Sequence, residues 1–275
     1  MNIAPTRLAL LLAGLLAATS AIAAQREDVR AGDAVRVVRQ IQSIPESAIP
    51  DRLLDEAKAI VVVPDTIKAG FMVGGRRGLG LMSVKSPDGT WSNPVFVKLA
   101  GASFCLQAGV QSADVILVFR SERGVDSIVN GKITLGADAG IAAGPVGRNA
   151  AAATDGEFKA EIWSWSRARG LFAGVALDGA VLSIDNGANR TAYGEGTTPR
   201  AIFEGRAPGT PSAAITGFRD ALEEATAAAR QARGGKLAPA EVNTAPAGDG
   251  VQVQPLGSDN PATTTPLEPA TSSKP

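Results

Sequence analysis

The chain contains no histidine and only one cysteine, Cys105. Without imidazole, no Ser-His-Asp triad, Cys-His pair or His-bearing zinc site can be assembled. A lone thiol cannot close an intramolecular disulfide. Cys105, set among alternating small and polar neighbours, reads as an inert packed thiol. Charge of either sign is also missing in excess. Lys+Arg and Asp+Glu both total 27, so the basic surplus that marks nucleic-acid binding is absent, and net charge selects no partner. Carboxylate pairs and lysine bases remain available, which weakens an enzymatic reading without removing it. Nor is there a long apolar run. The longest, Leu8 to Ala18, is about half of the ~20 residues needed to cross a bilayer.

That short run sits in a telling place. Arg7 closes a small positive region before it, and Ala21-Ile22-Ala23 follows it with the A-x-A spacing a signal peptidase accepts. Residues 1–23 are therefore expected to be a secretory signal peptide. The mature chain would start near Ala24 without a transmembrane anchor, exported to a periplasm or secreted. At the other end, residues 234–275 are rich in Pro, Ala, Thr, Ser and Gly and predict a disordered tail.

Between these ends the hydrophobic period changes twice. In the 24–56 lead, Ala34, Val37, Val38 and Ile41 keep helical spacing over Gln25–Ser43. A second short helix is expected from Asp51, acting as its cap, to Ala59. The β-branched run Ile60–Val63, ended by Pro64, reads as a strand. Phe71–Val84 reads as two strands reversing at Gly74-Gly75-Arg76-Arg77-Gly78, and Pro87-Asp88-Gly89 as a turn. Further strands are expected at Val95–Leu99, Phe104–Val110, Val115–Phe119, Phe158–Ser164 and Leu171–Ile184, with a short helix at Glu122–Val129. Helices return in the 195–233 segment, where Ile215, Phe218, Leu222 and Ala225 share one face. Many short strands with helices before and after them predict an α+β fold. Its core would be an antiparallel sheet or partly closed barrel, flanked by N- and C-terminal helices.

Most chemical motifs fail on inspection. Gly131-Lys132 lacks the upstream glycine and the following Ser or Thr of a phosphate loop. Gly101–Cys105 lacks the closing glycine of a nucleophile elbow. Gly136, Gly140 and Gly144 fit close backbone packing in a sheet better than a membrane helix contact. No cofactor-binding pattern survives. What remains is a set of basic residues at glycine-rich turns: Lys68, Arg76, Arg77, Arg148, Arg167 and Arg169. They are an ordinary solvated surface, or an anion site in which planar guanidinium forks and bare glycine backbone meet the same oxygens. Trp163 and Trp165 lie on one strand face, either packed under a helix or placed at a membrane interface.

The central stretch resembles the SYLF domain family, which includes yeast actin-patch proteins with SH3 domains. The strings that carry the resemblance start with Ala57-Lys58-Ala59-Ile60-Val61-Val62-Val63-Pro64, Lys68-Ala69-Gly70-Phe71 and Gly74-Gly75-Arg76. Gly109-Val110-Gln111-Ser112-Ala113-Asp114 and Leu135-Gly136-Ala137-Asp138-Ala139 follow. The last are Ala143-Gly144-Pro145-Val146-Gly147-Arg148, Ser164-Trp165-Ser166-Arg167 and Arg169-Gly170-Leu171-Phe172-Ala173-Gly174. They place a SYLF-like β-rich core at 57–194. The resemblance implies an exported bacterial member of a lipid-binding family. Phosphoinositide binding is described for eukaryotic members, actin binding for yeast ones, and membrane contact through a helix ahead of the core for some. The matching helix here is Gln25–Ser43.

Two functions of different classes follow as expectations. The first is a non-catalytic module of the cell envelope that binds anionic phospholipid through its basic residues, at ~1 kcal/mol per Lys or Arg near an anionic surface. The second is a structural or protein-interaction module, actin-binding-like by resemblance, that meets an envelope protein through its tail and the Ile215–Ala225 helix face. An enzyme would need a carboxylate pair such as Asp138 with Asp155 or Glu157.

Overall fold

The β-branched run at Ile60–Val63 does form a strand, but the strand does not stop at Pro64. The computed structural model describes residues 4–43, 48–147, 160–168 and 170–236. Side chains are described from residue 22 onward, except at 71–73, 103–109, 168, 171, 235 and 236. In chain order, helices α1 (Ala4–Ser43) and α2 (Asp51–Glu56) precede strands β1 (Ala59–Val84) and β2 (Val95–Phe119). Helix α3 (Glu122–Val129) leads to β3 (Lys132–Thr134), β4 (Ile141–Ala143), β5 (Ile162–Ala168), β6 (Leu171–Gly174) and β7 (Val181–Ile184). Helices α4 (Asn186–Tyr193), α5 (Pro199–Phe203) and α6 (Ala213–Lys236) complete the described chain. Arg148, Arg169, Asp155, Glu157, residues 237–275 of the expected tail and the Cys105 side chain lie outside the described residues, while residues 234–236, expected to open that tail, continue α6.

β1 and β2 form one long antiparallel hairpin, registered from Ala59↔Phe119 at its base to Met82↔Val95 at its closed end. The turn there is the expected one: Gly89, at φ 87°, donates its N–H to Ser86 O at 2.9 Å, and Asp88 Oδ1 accepts from Thr90 N at 3.0 Å. The expected reversal at Gly74–Gly78 is absent. Those residues stay inside β1, paired with Ser103 through Leu99 of β2. Glycine is needed there for a different reason, because β1 folds back over itself. A Cβ on Gly80 would stand 2.2 Å from Val62 O, and one on Gly78 would stand 2.4 Å from Val63 Cγ1. A straight strand would hold Val62 and Gly80 about 60 Å apart. The ladder slips register between Val63 and Thr66 and again between Gly70 and Met72, and such bulges bend a strand.

The remaining strands attach to β2, on either side of the bend. β5 pairs with Asp114–Phe119 of β2, and β7 with Val97–Ala100. β3 extends β7, while β4 and β6 flank β5. The result is a curled half-barrel in an α+β fold. The sheet is mixed rather than purely antiparallel, because β4 runs parallel to β5. The chain between them is long enough for the crossover that a parallel pair requires.

Strand alternation divides the apolar residues between two layers. Val63 meets Gly78 inside the fold of the hairpin. Val61, Leu117, Val97, Leu99, Leu182 and Ile133 share that inner side by register and are buried. On the opposite side of the first half, Ile60, Val62 and Ile116 line a small void with Val38 and Ile41 of α1, Leu54 of α2, and Leu222 and Ala225 of α6. The helices therefore cover that side.

The helical face predicted in α1 is buried at Ala31, Ala34, Val37, Val38 and Ile41. The face predicted in α6 is buried at Ile215, Phe218, Leu222 and Ala225. Each such valine, leucine or isoleucine contributes about 1.5–3 kcal/mol relative to exposure. Two local details differ from the pattern reading. Asp51 stands in the first turn of α2 behind Pro50 rather than capping it. α1 runs unbroken from Ala4, so no change of backbone marks the expected cut after Ala23.

Candidate functional site

Among the described residues, one stretch of sheet surface is left uncovered: the outer side of the second half of the hairpin, from the Leu79–Lys98 pair toward the bend. Gly75, Arg77, Leu79, Lys98, Ala100 and Ala102 all face outward and are exposed. Directly opposed residues of an antiparallel pair share a face, so register extends this surface across four strands. One row reads Leu79, Lys98, Ser183, Lys132, and the next reads Arg77, Ala100, Val181, Thr134. Three cations, Arg77, Lys98 and Lys132, thus stand on one shallow face among small side chains. Lys98 and Lys132 were not singled out by sequence. The alternation Val97-Lys98-Leu99 was the available signal, since it puts Lys98 outward once its neighbours are core.

The same hairpin exposes apolar side chains near its bend. Ile67 is 52% exposed and Val110 75% exposed. Val110 lies opposite Ala69, so it shares a face with Ile67, its diagonal neighbour. Lys68, half-buried, sits between Ile67 and Ala69 opposite Gln111.

The fold separates the remaining basic candidates. Arg76 and Arg77 are adjacent, so they leave opposite sides of the strand; Arg76 is half-buried and engaged by a partner. Arg167 is committed to a buried cluster. Its Nε lies 3.6 Å from Asp114 Oδ2, it donates to Gln40 Oε1, and its guanidinium sits 5.6 Å from the centre of the Phe172 ring. Arg36 of α1 reaches the same Asp114 oxygen at 3.7 Å and Asp65 at 3.6 Å. Asp114 also accepts the Asp65 N–H at 3.1 Å. That bond holds Asp65 at φ 45°, a left-handed conformation rare outside glycine. This cluster ties α1, β1, β2 and β5 together rather than presenting a free anion site.

A second polar cluster pins α1 around Glu27 and Arg30. Arg30 stacks 5.2 Å over the Phe96 ring and lies 3.4 Å from Asp185 and 3.3 Å from Glu27. Lys98 approaches Asp185 at 3.1 Å. Burial pushes the Glu27 carboxyl above the ordinary glutamate value, more than Arg30 pulls it down. Asp185 goes the other way. Burial opposes its charge, but the Ala188 amide, Lys98 and Arg30 outweigh that and hold it below the ordinary aspartate value.

The tryptophans belong to the interior. Trp165 is fully buried and donates Nε1–H to Pro145 O at 3.0 Å. Gly144 lies against its ring, where a Cβ would come within 2.0 Å of Cε2; this is the close packing expected of that glycine. Trp163 is partly buried against the same core. Asp138 is spent on a turn, accepting from Thr134 N at 2.6 Å. Among the described residues, no group of three or more Cys, Asp or Glu is arranged to hold a metal, and no helix is long and apolar enough to cross a membrane.

Residues 100–225, from β2 into α6, match the Ysc84 family, described as Las17-binding protein actin regulator. This chain contains a Ysc84 (SYLF) family domain. Protein YSC84 of Saccharomyces cerevisiae is 37% identical over 172 residues, covering 61% of this chain and 36% of the relative. LAS seventeen-binding protein 3 of the same yeast is 33% identical over 194 residues, 70% of this chain and 42% of its own length. The human SH3 domain-containing YSC84-like protein 1 is 31% identical over 181 residues, 64% of this chain and 53% of its own length. The chain thus spans between about a third and a half of these relatives. Their names describe binding or regulatory proteins rather than enzymes. The matched residues include the outward Lys132, the exposed Val110 and the Asp114–Arg167 pair, while Lys98 lies just ahead of them.

Proposed function

We propose that this protein is a non-catalytic lipid-binding module of the cell envelope, exported after removal of residues 1–23, that docks on anionic phospholipid headgroups. The observation that carries the reading is the uncovered sheet face. Arg77, Lys98 and Lys132 stand on it, and the same hairpin exposes Ile67 and Val110. Cations near an anionic surface contribute ~1 kcal/mol each. Three or four contacts give weak, salt-sensitive association, and the apolar pair adds a foothold that salt does not screen.

The test is co-sedimentation with vesicles of phosphatidylglycerol or of phosphatidylcholine over a salt series. Recovery with the anionic vesicles should fall as salt rises. It should drop at least tenfold for an Arg77→Glu/Lys132→Glu variant, and the part that survives high salt should vanish in Ile67→Asp/Val110→Asp. Equal recovery with both vesicle types, or none with either, would refute the proposal.

A second reading is supported by the relatives' names, which describe binding to Las17: a protein-interaction module. The version that used the Ile215–Ala225 face as the contact is closed, because that face is buried against α1 and the sheet. An interaction through the sheet face remains. Binding of an acidic protein partner with no recovery on vesicles would favour it.

A further inference from the structure

Helices α1 and α6 do not close completely where they pass each other. Between them lies a cleft of about 270 Å³. Its cause is local. Four alanines of α6, Ala221, Ala225, Ala228 and Ala229, line it where larger residues would have filled the space, and Val38 forms the opposing apolar wall. Val38 and Ala225 also separate the cleft from the small void that reaches Ile60, Val62 and Ile116. The floor is therefore apolar and adjoins the core.

The rim is different. Arg39, Gln42 and Ser43 stand on the α1 side, Asp51 at the start of α2 and Glu224 on the α6 side. Gln42, Ser43 and Asp51 are engaged by other groups. Arg39 and Glu224 are exposed, and neither makes an ion pair or hydrogen bond among the described residues, whereas Arg30 and Arg36 of the same α1 are paired. With Asp51 engaged elsewhere, the apolar slot offers a ligand the charges of Arg39 and Glu224 at its mouth, and these complement a single apolar chain ending in a zwitterion. A cavity of about 150 Å³ takes up benzene, so 270 Å³ accommodates roughly ten chain carbons. Pockets of this size, apolar with a few placed polar groups, are where small ligands bind.

We propose that the α1–α6 cleft holds one single-chain zwitterionic amphiphile of the lysophospholipid type. The chain lies along the alanine floor, the phosphate meets Arg39 and the ammonium meets Glu224. This site is separate from the sheet face. It holds one lipid molecule rather than a membrane surface, so its failure would leave the vesicle reading standing, and the converse is also true.

The experiment is calorimetric titration of the full chain with decylphosphocholine below its micelle concentration. Saturable one-site binding in the submillimolar range is expected. Phosphocholine without the chain should not bind, and decanoate and decyltrimethylammonium should each bind at least tenfold more weakly. Ala228→Trp, at an exposed position, should abolish binding while leaving the urea midpoint unchanged. Arg39→Glu should weaken it at least tenfold without filling the cleft.

Absence of saturable binding would overturn the assignment, as would equal binding of all three chain-bearing probes. Unchanged affinity in a folded Ala228→Trp variant would overturn it too. Binding that emerged only after removal of residues 237–275 would make the chain's own tail the occupant and would likewise overturn it.

Discussion

Adding one methyl group at Gly80 should damage this protein far more than adding the same group at Gly75, five positions away on the same strand. At Gly75 a Cβ meets nothing within 4 Å. Alanine there removes backbone freedom from the unfolded chain and should be neutral or stabilising by up to ~1 kcal/mol. At Gly80 the Cβ would sit 2.2 Å from Val62 O, 2.9 Å from Val63 Cα and 2.9 Å from Val63 Cγ2. Two of these atoms are backbone, so no rotamer change relieves the contact. The two halves of the folded hairpin must move apart by an ångström or more. That movement would unseat the buried layer of Val61, Leu99, Leu117 and Leu182 between them. Overpacking of a core costs about 1–3 kcal/mol when side chains can give way. With backbone on the other side, Gly80→Ala should reach or exceed ~3 kcal/mol, a large share of the ~5–15 kcal/mol total of a domain.

Urea denaturation of the two variants and the parent, followed by circular dichroism, measures the difference directly. Gly80→Ala should lower the midpoint markedly or fail to fold, while Gly75→Ala tracks the parent. Gly78→Ala should fall between them, because its Cβ strikes side-chain atoms of Val63 and Thr66, which can shift. If Gly80→Ala and Gly75→Ala unfold at the same urea concentration, β1 does not fold back on itself and the half-barrel is refuted.

Other consequences are equally open to measurement. Asp114→Asn should cost about 1.5–3 kcal/mol, the range for hydrogen bonds to charged groups, and should loosen α1 as judged by faster amide exchange at Arg36. Unchanged exchange there would contradict the role of Asp114 as a tie. Gly144→Ala should destabilise by at least ~1–3 kcal/mol through contact with the Trp165 ring, and a parent-like urea midpoint would count against that packing. Burial, with Arg230 nearby, holds the Lys85 ammonium down to about 8. A lysine that loses its proton earlier when folded makes stability rise as pH climbs from about 8 toward the ordinary 10.5. That rise should shrink in Lys85→Met, and an identical pH profile for both proteins would exclude Lys85 as its source. Finally, amide exchange in α1 should not quicken when the protein binds anionic vesicles; accelerated exchange over Ala31–Ile41 would mean that the helix, not the sheet, enters the membrane.

What the sequence disclosed was mostly what short-range chemistry determines. The helical spacing in α1 and α6 and the turn at Pro87–Gly89 each depend on neighbours a few residues away, and each was legible. The doubling of β1 was not. Its cause, the approach of Val62 to Gly80, joins positions whose proximity exists only after folding. A glycine that tolerates a turn and a glycine that tolerates a crossing backbone look alike in sequence. The same limit hid the commitment of Arg167, whose partners Asp114 and Gln40 lie on β2 and α1. The division of Arg76 from Arg77 was legible in principle, because strand alternation puts neighbours on opposite faces. Reading the segment as a turn hides it.

The buried state of α1 bears on how a domain of this family can meet a membrane. Contact through a helix ahead of the core requires that helix to leave its seat. Here the seat consists of Ala31, Ala34, Val37, Val38 and Ile41, all buried. The two valines and the isoleucine alone represent about 5–9 kcal/mol at 1.5–3 each. Release would also break the Arg30–Asp185 and Arg36–Asp114 contacts and leave Asp114 buried beside Arg167 alone. A bilayer could offset the apolar part by burying the same side chains, but that only restores what the core already provided. The polar losses would remain. Contact through the sheet carries a smaller debt, because Arg77, Lys132, Ile67 and Val110 are already exposed in the folded protein and only Lys98 would have to share its charge with Asp185. For the membrane contact proposed above, the energetics therefore favour docking of a preformed face over insertion of a released helix.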